Sequence, residues 1–353
     1  MHLLITGGAG FVGSNLAIKF KQKYPQYTIT CLDNLKRRGS ELNLPRFRAH
    51  GIEFVHADIR NPEDLSTLDA FDVLIDASAE PSVLAGITSP VAQVVNNNLV
   101  GTVNCLELAK KYQAAFIFLS TSRVYPIQTL EQLNFTETET RFEWSDEQSI
   151  PGVSARGVTE QFPLEGSRSF YGATKLASEL LIQEYQALAN LKTVINRCGV
   201  ITGPWQMGKV DQGVVVLWVA RHFWQKNLKY IGYGGLGKQV RDMLHIQDLF
   251  ELIDLQAHQP EVWNGKMFNV GGGREVSFSL QELTQLCEQV TGNQIKIEQE
   301  PVTRPADLRI YLTDHTKITT FTSWYPKISP LEIINDVYEW LKANESQLKP
   351  ILG

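Results

Sequence analysis

The run Leu3-Leu4-Ile5-Thr6-Gly7-Gly8-Ala9-Gly10-Phe11-Val12-Gly13-Ser14-Asn15 decides how this chain is read. Its first residues are apolar or β-branched and predict a strand over His2–Thr6. The apolar spacing after Gly10 predicts a helix over Phe11–Lys23. Gly7, Gly10 and Gly13 therefore lie between a strand and a helix, the context in which such glycines have a physical job. The early ones permit a tight turn and close backbone approach to a diphosphate, and the last lets the helix pack on the strand. The helix N-terminus adds open N–H groups and a favourable dipole for the phosphates, with Phe11 and Val12 beside them. Asp33 stands 20 residues after Gly13, at the end of a second predicted strand, Thr28–Leu32. A carboxylate there accepts from the adenosine ribose hydroxyls and repels a 2′-phosphate, which favours NAD over NADP, although Arg37 and Arg38 nearby could bind that phosphate. Asn34 adjoins it, and Asp58-Ile59, after a third strand over Phe54–His56, is placed to flank the adenine. The bland alternative is a glycine turn with a helix cap and no ligand.

Outward from this turn the alternation continues. A fourth strand is expected over Phe71–Asp76, a long helix over Val91–Tyr112 and a fifth strand over Ala115–Leu119. Strands alternating with helices imply crossover connections and a parallel sheet. From Pro126 to about Ser167 the pattern dissolves, and a stretch so long and polar reads as a functional lid or a disordered insert. Helical spacing returns over Tyr171–Ala187, followed by a strand over Thr193–Asn196. Beyond Gly203-Pro204 the rhythm weakens. Lys266–Val270 reads as a strand, and Ser279–Val290 and Leu331–Lys342 read as helices. Ser279 with Glu282 three residues on carries a capping-box signature. The expected class is α/β, with a Rossmann-type domain over residues 1–196 that holds an insertion at about 126–168. A smaller mixed lobe follows over 197–353, and its chain crosses back to the sheet.

Composition bounds the rest. The chain has 353 residues, 43% hydrophobic and 20% charged, an ordinary globular balance. A net charge of −5 argues against a nucleic-acid partner. Cys31, Cys105, Cys198 and Cys287 are scattered without a CxxC pair, so neither a zinc site nor a disulfide framework is expected. The histidines show no metal-ligand spacing. No leader-like segment opens the chain and no apolar run reaches about 18 residues, so a cytoplasmic protein without a membrane span is expected.

Two further patterns bear on chemistry. Tyr171-Gly172-Ala173-Thr174-Lys175 opens a predicted helix and puts Tyr171 and Lys175 on one face. A tyrosine ordinarily ionises near pH 10, and a neighbouring ammonium lowers this by favouring the phenolate. Tyr171 could then take a hydroxyl proton while a hydride leaves the same carbon. Alone, this spacing is common on ordinary helices. Ser120-Thr121-Ser122-Arg123-Val124-Tyr125 closes the fifth strand, at the end where ligands of such sheets bind, and a hydroxyl of Thr121 or Ser122 is placed to bond the reacting oxygen. The plainer use of these hydroxyls is to cap the turn.

With these residues in view, the chain resembles the extended short-chain dehydrogenase/reductases that act on nucleotide sugars. The resemblance runs over nearly the whole chain. It rests on the glycine turn, Asp33, the hydroxyl before Val124-Tyr125, Tyr171 with Lys175, and Arg241-Asp242. Three stretches point to the branch that inverts C2 of a CDP-linked sugar, with C4 of a UDP-linked sugar as runner-up. They are Asp33 to Gly39, Asp211-Gln212-Gly213, and Gly237 to His245. The resemblance implies Tyr171 as base, Lys175 as its electrostatic partner and ribose ligand, and Thr121 as the catalytic hydroxyl. Ala77 is implied at the cofactor. Ser122, Arg123, Gln212, Arg241, Arg304 and Asp307 are implied at the substrate, the arginines gripping phosphate and Asp307 the nucleotide ribose. Arg241 and Arg304 would otherwise default to ion pairs with neighbouring acids. Ser122 and Arg123 stand where the family's dehydratases carry an Asp-Glu pair, which argues against dehydration. Pro126, the run Asp76 to Glu80, and Glu160, Phe162, Arg168 and Ser169 depart from the usual pattern near the sugar. The resemblance also implies a homodimer or higher oligomer built on the helices Val91–Tyr112 and Tyr171–Ala187. Competing readings are a net dehydrogenase or reductase and, more remotely, a non-catalytic dinucleotide-binding protein.

Overall fold

In the computed structural model, which describes residues 1–87, 89–208 and 212–353, the near-continuous apolar runs of the first half become strands covered on both faces. These are β1 (His2–Thr6), β2 (Thr28–Asp33), β3 (Glu53–His56), β4 (Val73–Asp76), β5 (Ala115–Thr121), β6 (Thr193–Cys198) and β7 (Lys266–Val270). They form a seven-stranded parallel sheet in the order β7-β6-β5-β4-β1-β2-β3. β1 pairs in parallel with both β2 and β4, so the strand order reverses there, the position where doubly wound sheets bind ligands. Phe116, Phe118, Leu4, Leu74 and Leu106 lie at its core, each essentially excluded from water.

By internal contacts the chain divides into two units. One comprises residues 1–124, 170–197 and 250–267, the other 125–169, 198–249 and 268–353. In the first, α1 (Phe11–Lys23) and α2 (Asn43–His50) pack together. The helix expected over Val91–Tyr112 carries a π turn at Asn96–Val100 between α-helical segments Val91–Val95 and Gly101–Tyr112. The reason is local. Asn98 is fully buried and its amide bonds the Glu80 N–H (2.7 Å) and the Glu80 carbonyl (3.1 Å). Gly101 lets Ile59 pack closely on the helix: a Cβ there would sit 2.4 Å from the Ile59 Cδ1, which would have to move. Such π turns insert one residue and recur at functional sites. Residues 91–112 are called α3 below, and α4 is Phe170–Ala189.

In the second unit Val240–His245 pairs in parallel with Val200–Thr202 and Ile310–Tyr311 and antiparallel with Ser277–Ser279. The helices Val214–Phe223, Leu280–Thr291 and Pro330–Ala343 pack on one another. The capping box at Ser279 and Glu282 is present, and a second stands at Ser329 and Glu332. Residues 126–168 are an ordered appendage of this unit, neither a featureless loop nor a disordered insert. They hold a short helix, Ile127–Glu131, and two small hairpins. Arg141 donates to Ser277 (2.8 Å) and pairs with Glu282 (3.4 Å), and Lys238 pairs with Glu137 (2.8 Å). Val158 exchanges backbone bonds with Leu312 and Asp314, a closeness that Gly157 permits: its φ is +143° and a Cβ would lie 2.5 Å from the Asp314 nitrogen. Strands of two or three residues carry too little periodicity to be read from sequence. Among the described residues no helix is long and apolar enough to cross a membrane.

Asp242, on the central strand of this second sheet, is fully buried and accepts from the Gly273 N–H at 3.1 Å. Burial pushes its pKa up to about 6, against the bonds from Thr313 and Gly273 that lower it. A carboxyl raised in the folded state is protonated there while the unfolded chain has already ionised. Its contribution to stability is therefore full below about pH 4 and falls by up to about 3 kcal/mol as pH rises to about 6. Asp242→Asn should remove this slope. Denaturant unfolding at stepped pH checks it: the variant should gain on the parent between pH 4 and 7, and parallel curves would refute the assignment.

Candidate active site

The glycine turn leaves β1 so tightly that side chains are excluded. Gly7 has φ +62°, and a Cβ on it would lie 2.7 Å from the Ala77 carbonyl. A Cβ on Gly13 would lie 2.4 Å from the Gly7 carbonyl, so α1 starts almost on the turn itself. Gly10 precedes α1, no side chain caps that end, and the first turn has no acid. The opening N–H groups of α1, at Phe11, Val12 and Gly13, thus meet no capping side chain at Gly10 and no acid within the helix's own first turn.

The other residues expected at the cofactor lie at the carboxyl ends of neighbouring strands. Asp33 ends β2 and accepts from the N–H of Ala9 (3.1 Å) and of Leu35 (2.8 Å). Burial pushes its pKa up, while those N–H bonds and one from Gly10 oppose the shift. With three N–H bonds made, one of the carboxylate's four lone-pair sites remains for a ribose hydroxyl. Asn34 donates to Asp58 at 2.9 Å, and the Arg60 guanidinium holds Asp58 well below the usual carboxylate range. Ile59 is buried and meets Gly101, while the Ala77 N–H continues the β4–β1 pairing to Thr6. An uncapped helix end, a cradle that side chains would fill and a carboxylate at the second strand fit a dinucleotide diphosphate and its ribose.

Beyond β5 stand the groups suited to proton transfer. Thr121 ends the strand, nearly buried, and its hydroxyl oxygen accepts from the Arg123 N–H at 3.1 Å. Ser122 and Arg123 open the 3-10 turn Ser122–Val124. Tyr171 is half-buried in the first turn of α4. Lys175, one turn on, is 2% exposed; its Nζ donates to the Leu119 carbonyl at 3.0 Å and lies 4.3 Å above the Phe118 ring. α4 packs on β5, on the turn at 122–124 and on the π turn of α3, and so brings Tyr171, Lys175 and Thr121 to one strand end. Sequence reasoning missed Asn98, whose side chain reaches Thr174 (3.2 Å) and whose carbonyl accepts from Ser178 (3.0 Å). Three consecutive asparagines inside a predicted helix were the available signal.

In the second unit Arg241 and Asp307 meet. Arg241 donates to Asp307 at 2.9 Å, to the Leu308 carbonyl at 2.6 Å and to the Val240 carbonyl at 2.7 Å. The ion pair that competes with phosphate binding at Arg241 is thus present, and its acid is the residue expected at the nucleotide ribose. The Arg304 carbonyl accepts from the Asp307 N–H at 3.3 Å, which joins Arg304 to the same turn. Gln212 is half-buried just before Gly213, which leads into Val214–Phe223. Asp211 lies outside the described residues. Glu131 and Arg309 join this cluster: the Arg309 N–H donates to Glu131 at 2.6 Å, and its guanidinium lies 4.2 Å over Phe135 and 5.2 Å over Tyr233.

The chain belongs to the NAD dependent epimerase/dehydratase family, whose profile matches residues 3–271. NAD is its cofactor, and the family's members are epimerases and dehydratases acting on nucleotide sugars. The chain is 33% identical to CDP-paratose 2-epimerase from Salmonella typhi, over 97% of this chain and 100% of that protein. It is 28% identical to a putative UDP-glucose 4-epimerase from Methanocaldococcus jannaschii, over 97% and 99%. Among solved structures it is similar to dTDP-glucose 4,6-dehydratase from Bacillus anthracis in complex with NAD, at 26% identity and TM-score 0.77, over 99% of each chain.

The cradle yields a direct test. Gly13→Ala places a methyl against Gly7 and Gly8, so α1 must lift from the turn. The purified variant should carry or bind at least tenfold less NAD, measured by calorimetry, and undiminished binding would reject this placement.

Proposed function

We propose that this chain is a redox-neutral nucleotide-sugar epimerase of the CDP-paratose 2-epimerase type, inverting C2. The observation that carries the reading is the buried Lys175 ammonium one turn from Tyr171, at the end of the strand that bears Thr121. Gly7, Gly10, Gly13, Asp33, Asn34, Asp58, Ile59 and Ala77 hold NAD, with Lys175 at its ribose. When bound, NAD accepts a hydride from the sugar and returns it. Tyr171 takes the ring hydroxyl proton as phenolate, which the Lys175 charge favours, and gives it back on the return. Thr121 hydrogen-bonds the same sugar oxygen. Ser122, Arg123 and Gln212 hold the sugar, while Arg241, Arg304 and Asp307 hold the nucleotide, so the keto-sugar stays in place while it presents its other face. Ser122 and Arg123 are neither acid nor base at neutral pH, so water elimination lacks its catalysts here. The similarity to CDP-paratose 2-epimerase favours C2 and cytidine. The putative UDP-glucose 4-epimerase relative supports the competing reading, C4 of a UDP-sugar.

The enzyme works as a cytoplasmic homodimer through α3 and α4. Their exposed Val100, Leu180 and Leu188 support that pairing. Light scattering should give twice the chain mass.

Four outcomes test this reading. Tyr171→Phe should bind NAD normally and lose turnover by roughly 10²- to 10⁴-fold, the usual worth of an acid–base group. Turnover in deuterated water should leave the inverted carbon free of solvent deuterium, because the same hydride returns. Nicotinamide absorbance should show no net change during turnover, whereas a dehydrogenase would change it stoichiometrically. Thermal shift should rank CDP above UDP.

A further inference from the structure

Below Lys175 on the same stripe of α4 lies an ion pair wholly removed from water. Glu179 is 0% exposed and Arg197, on β6, is 1% exposed. The Arg197 Nε donates to both Glu179 oxygens at 3.1 Å, and Nη2 donates at 2.7 Å. The Ser120 hydroxyl donates to the same carboxylate at 2.5 Å. Three successive residues of β5 are thus tied to one machinery: the Leu119 carbonyl to Lys175, the Ser120 hydroxyl to Glu179, and Thr121 at the strand end. Tyr171, Lys175 and Glu179 recur every four residues and share a helix face.

Such a pair is a costly way to fasten a helix to a sheet. Desolvating two charges offsets most of their attraction, and apolar residues of the same volume commonly serve as well or better. It does make a difference electrostatically. Glu179 lies about 6 Å along the helix from Lys175 and about 12 Å from Tyr171. Its full charge, uncompensated in this interior, would oppose the ammonium that favours phenolate.

We propose that Arg197, Glu179 and Ser120 form a positioning element for the proton-transferring pair: Arg197 neutralises Glu179 so that the Lys175 charge acts unopposed on Tyr171, while Ser120 holds the arrangement in register with Thr121. This rests on the reading of Tyr171 as the proton carrier. Other charged and titratable groups on the elements packed here include Asp76, Cys105, Arg123, Glu107 and Lys110, with the buried Cys198 at the end of β6. Asp76 is committed to the hydroxyls of Thr6 (2.8 Å), Ser78 (2.5 Å) and Thr102 (3.1 Å). The Cys105 thiol, acted on by both Asp76 and Lys175, is pushed well up by burial and stays neutral. Glu107 and Lys110 gather around Tyr185, near the far end of α4. Arg123 stands past the strand end and carries the same sign as Lys175.

The test follows the ionisation of Tyr171 itself, in NAD-loaded protein with Cζ-labelled tyrosine, by NMR; Tyr171→Phe assigns the signal. Glu179→Gln leaves a surplus positive charge and should lower the titration midpoint by about one pH unit, while Arg197→Gln leaves a surplus negative charge and should raise it by about as much. The doubly neutral Glu179→Gln/Arg197→Gln chain should return close to the parent, and the acid limb of the turnover profile should follow. Shifts of one sign in both single variants, or none in either, would reduce the pair to scaffolding and overturn the proposal. Should Arg197→Gln not fold, Glu179→Gln against the double variant decides the same question: a midpoint no lower in the single variant overturns it. Parent-like turnover by Tyr171→Phe would instead overturn the functional reading, whatever the midpoints do.

Discussion

An ammonium held 2% exposed inside a parallel α/β unit is the constraint around which the candidate active site is arranged. A buried cation is tolerated only where its donors are met and an aromatic face or carboxylate offsets its lost hydration. Lys175 finds the Leu119 carbonyl and the Phe118 ring, both on β5. That dual attachment presses α4 onto β5. It thereby sets how far Tyr171 stands from the strand end where Thr121 is presented. The π turn of α3 serves the same end from the other side, since Asn98 reaches Thr174 and Ser178 on α4. Helix and strand are thus located by polar contacts that a one-residue slip would leave unmade and buried.

What was legible in the sequence follows from distance along the chain. The glycine turn, Asp33 and the Tyr171–Lys175 spacing are local. Each is written within one turn or one strand–helix unit, and backbone sterics leave few other uses for such glycines. Glu179 was not legible. An acid in mid-helix ordinarily faces water, and only Arg197, arriving on the next strand, gives it a reason to be inside. Ser120 was given no role of its own, because its partner lies 59 residues away. The stretch 126–168 was read as a lid or a disordered insert, and its order was not legible because its strands are too short to show alternation. Its anchors, Ser277, Glu282 and Lys238, come from elsewhere in the sequence.

Arg241 and Asp307, 66 residues apart, pose a different physical problem. Each was expected to hold part of a nucleotide, yet each already satisfies the other. A guanidinium carries five N–H donors in a fixed plane, and the three bonds observed at Arg241 engage three of them at most. Phosphate can therefore be met by the remaining donors without breaking the pair, or by displacing Asp307 toward a ribose hydroxyl. In either case the arginine is not carried from water into the protein when ligand arrives. It is already desolvated, at 14% side-chain exposure, and oriented by two backbone carbonyls. The cost of holding a flexible cation still has been met in folding, so under the proposed function more of the attraction to a nucleotide phosphate would remain as affinity. Under the proposed function the pair is compatible with phosphate binding: Asp307 and the two carbonyls hold Arg241 in one rotamer in advance.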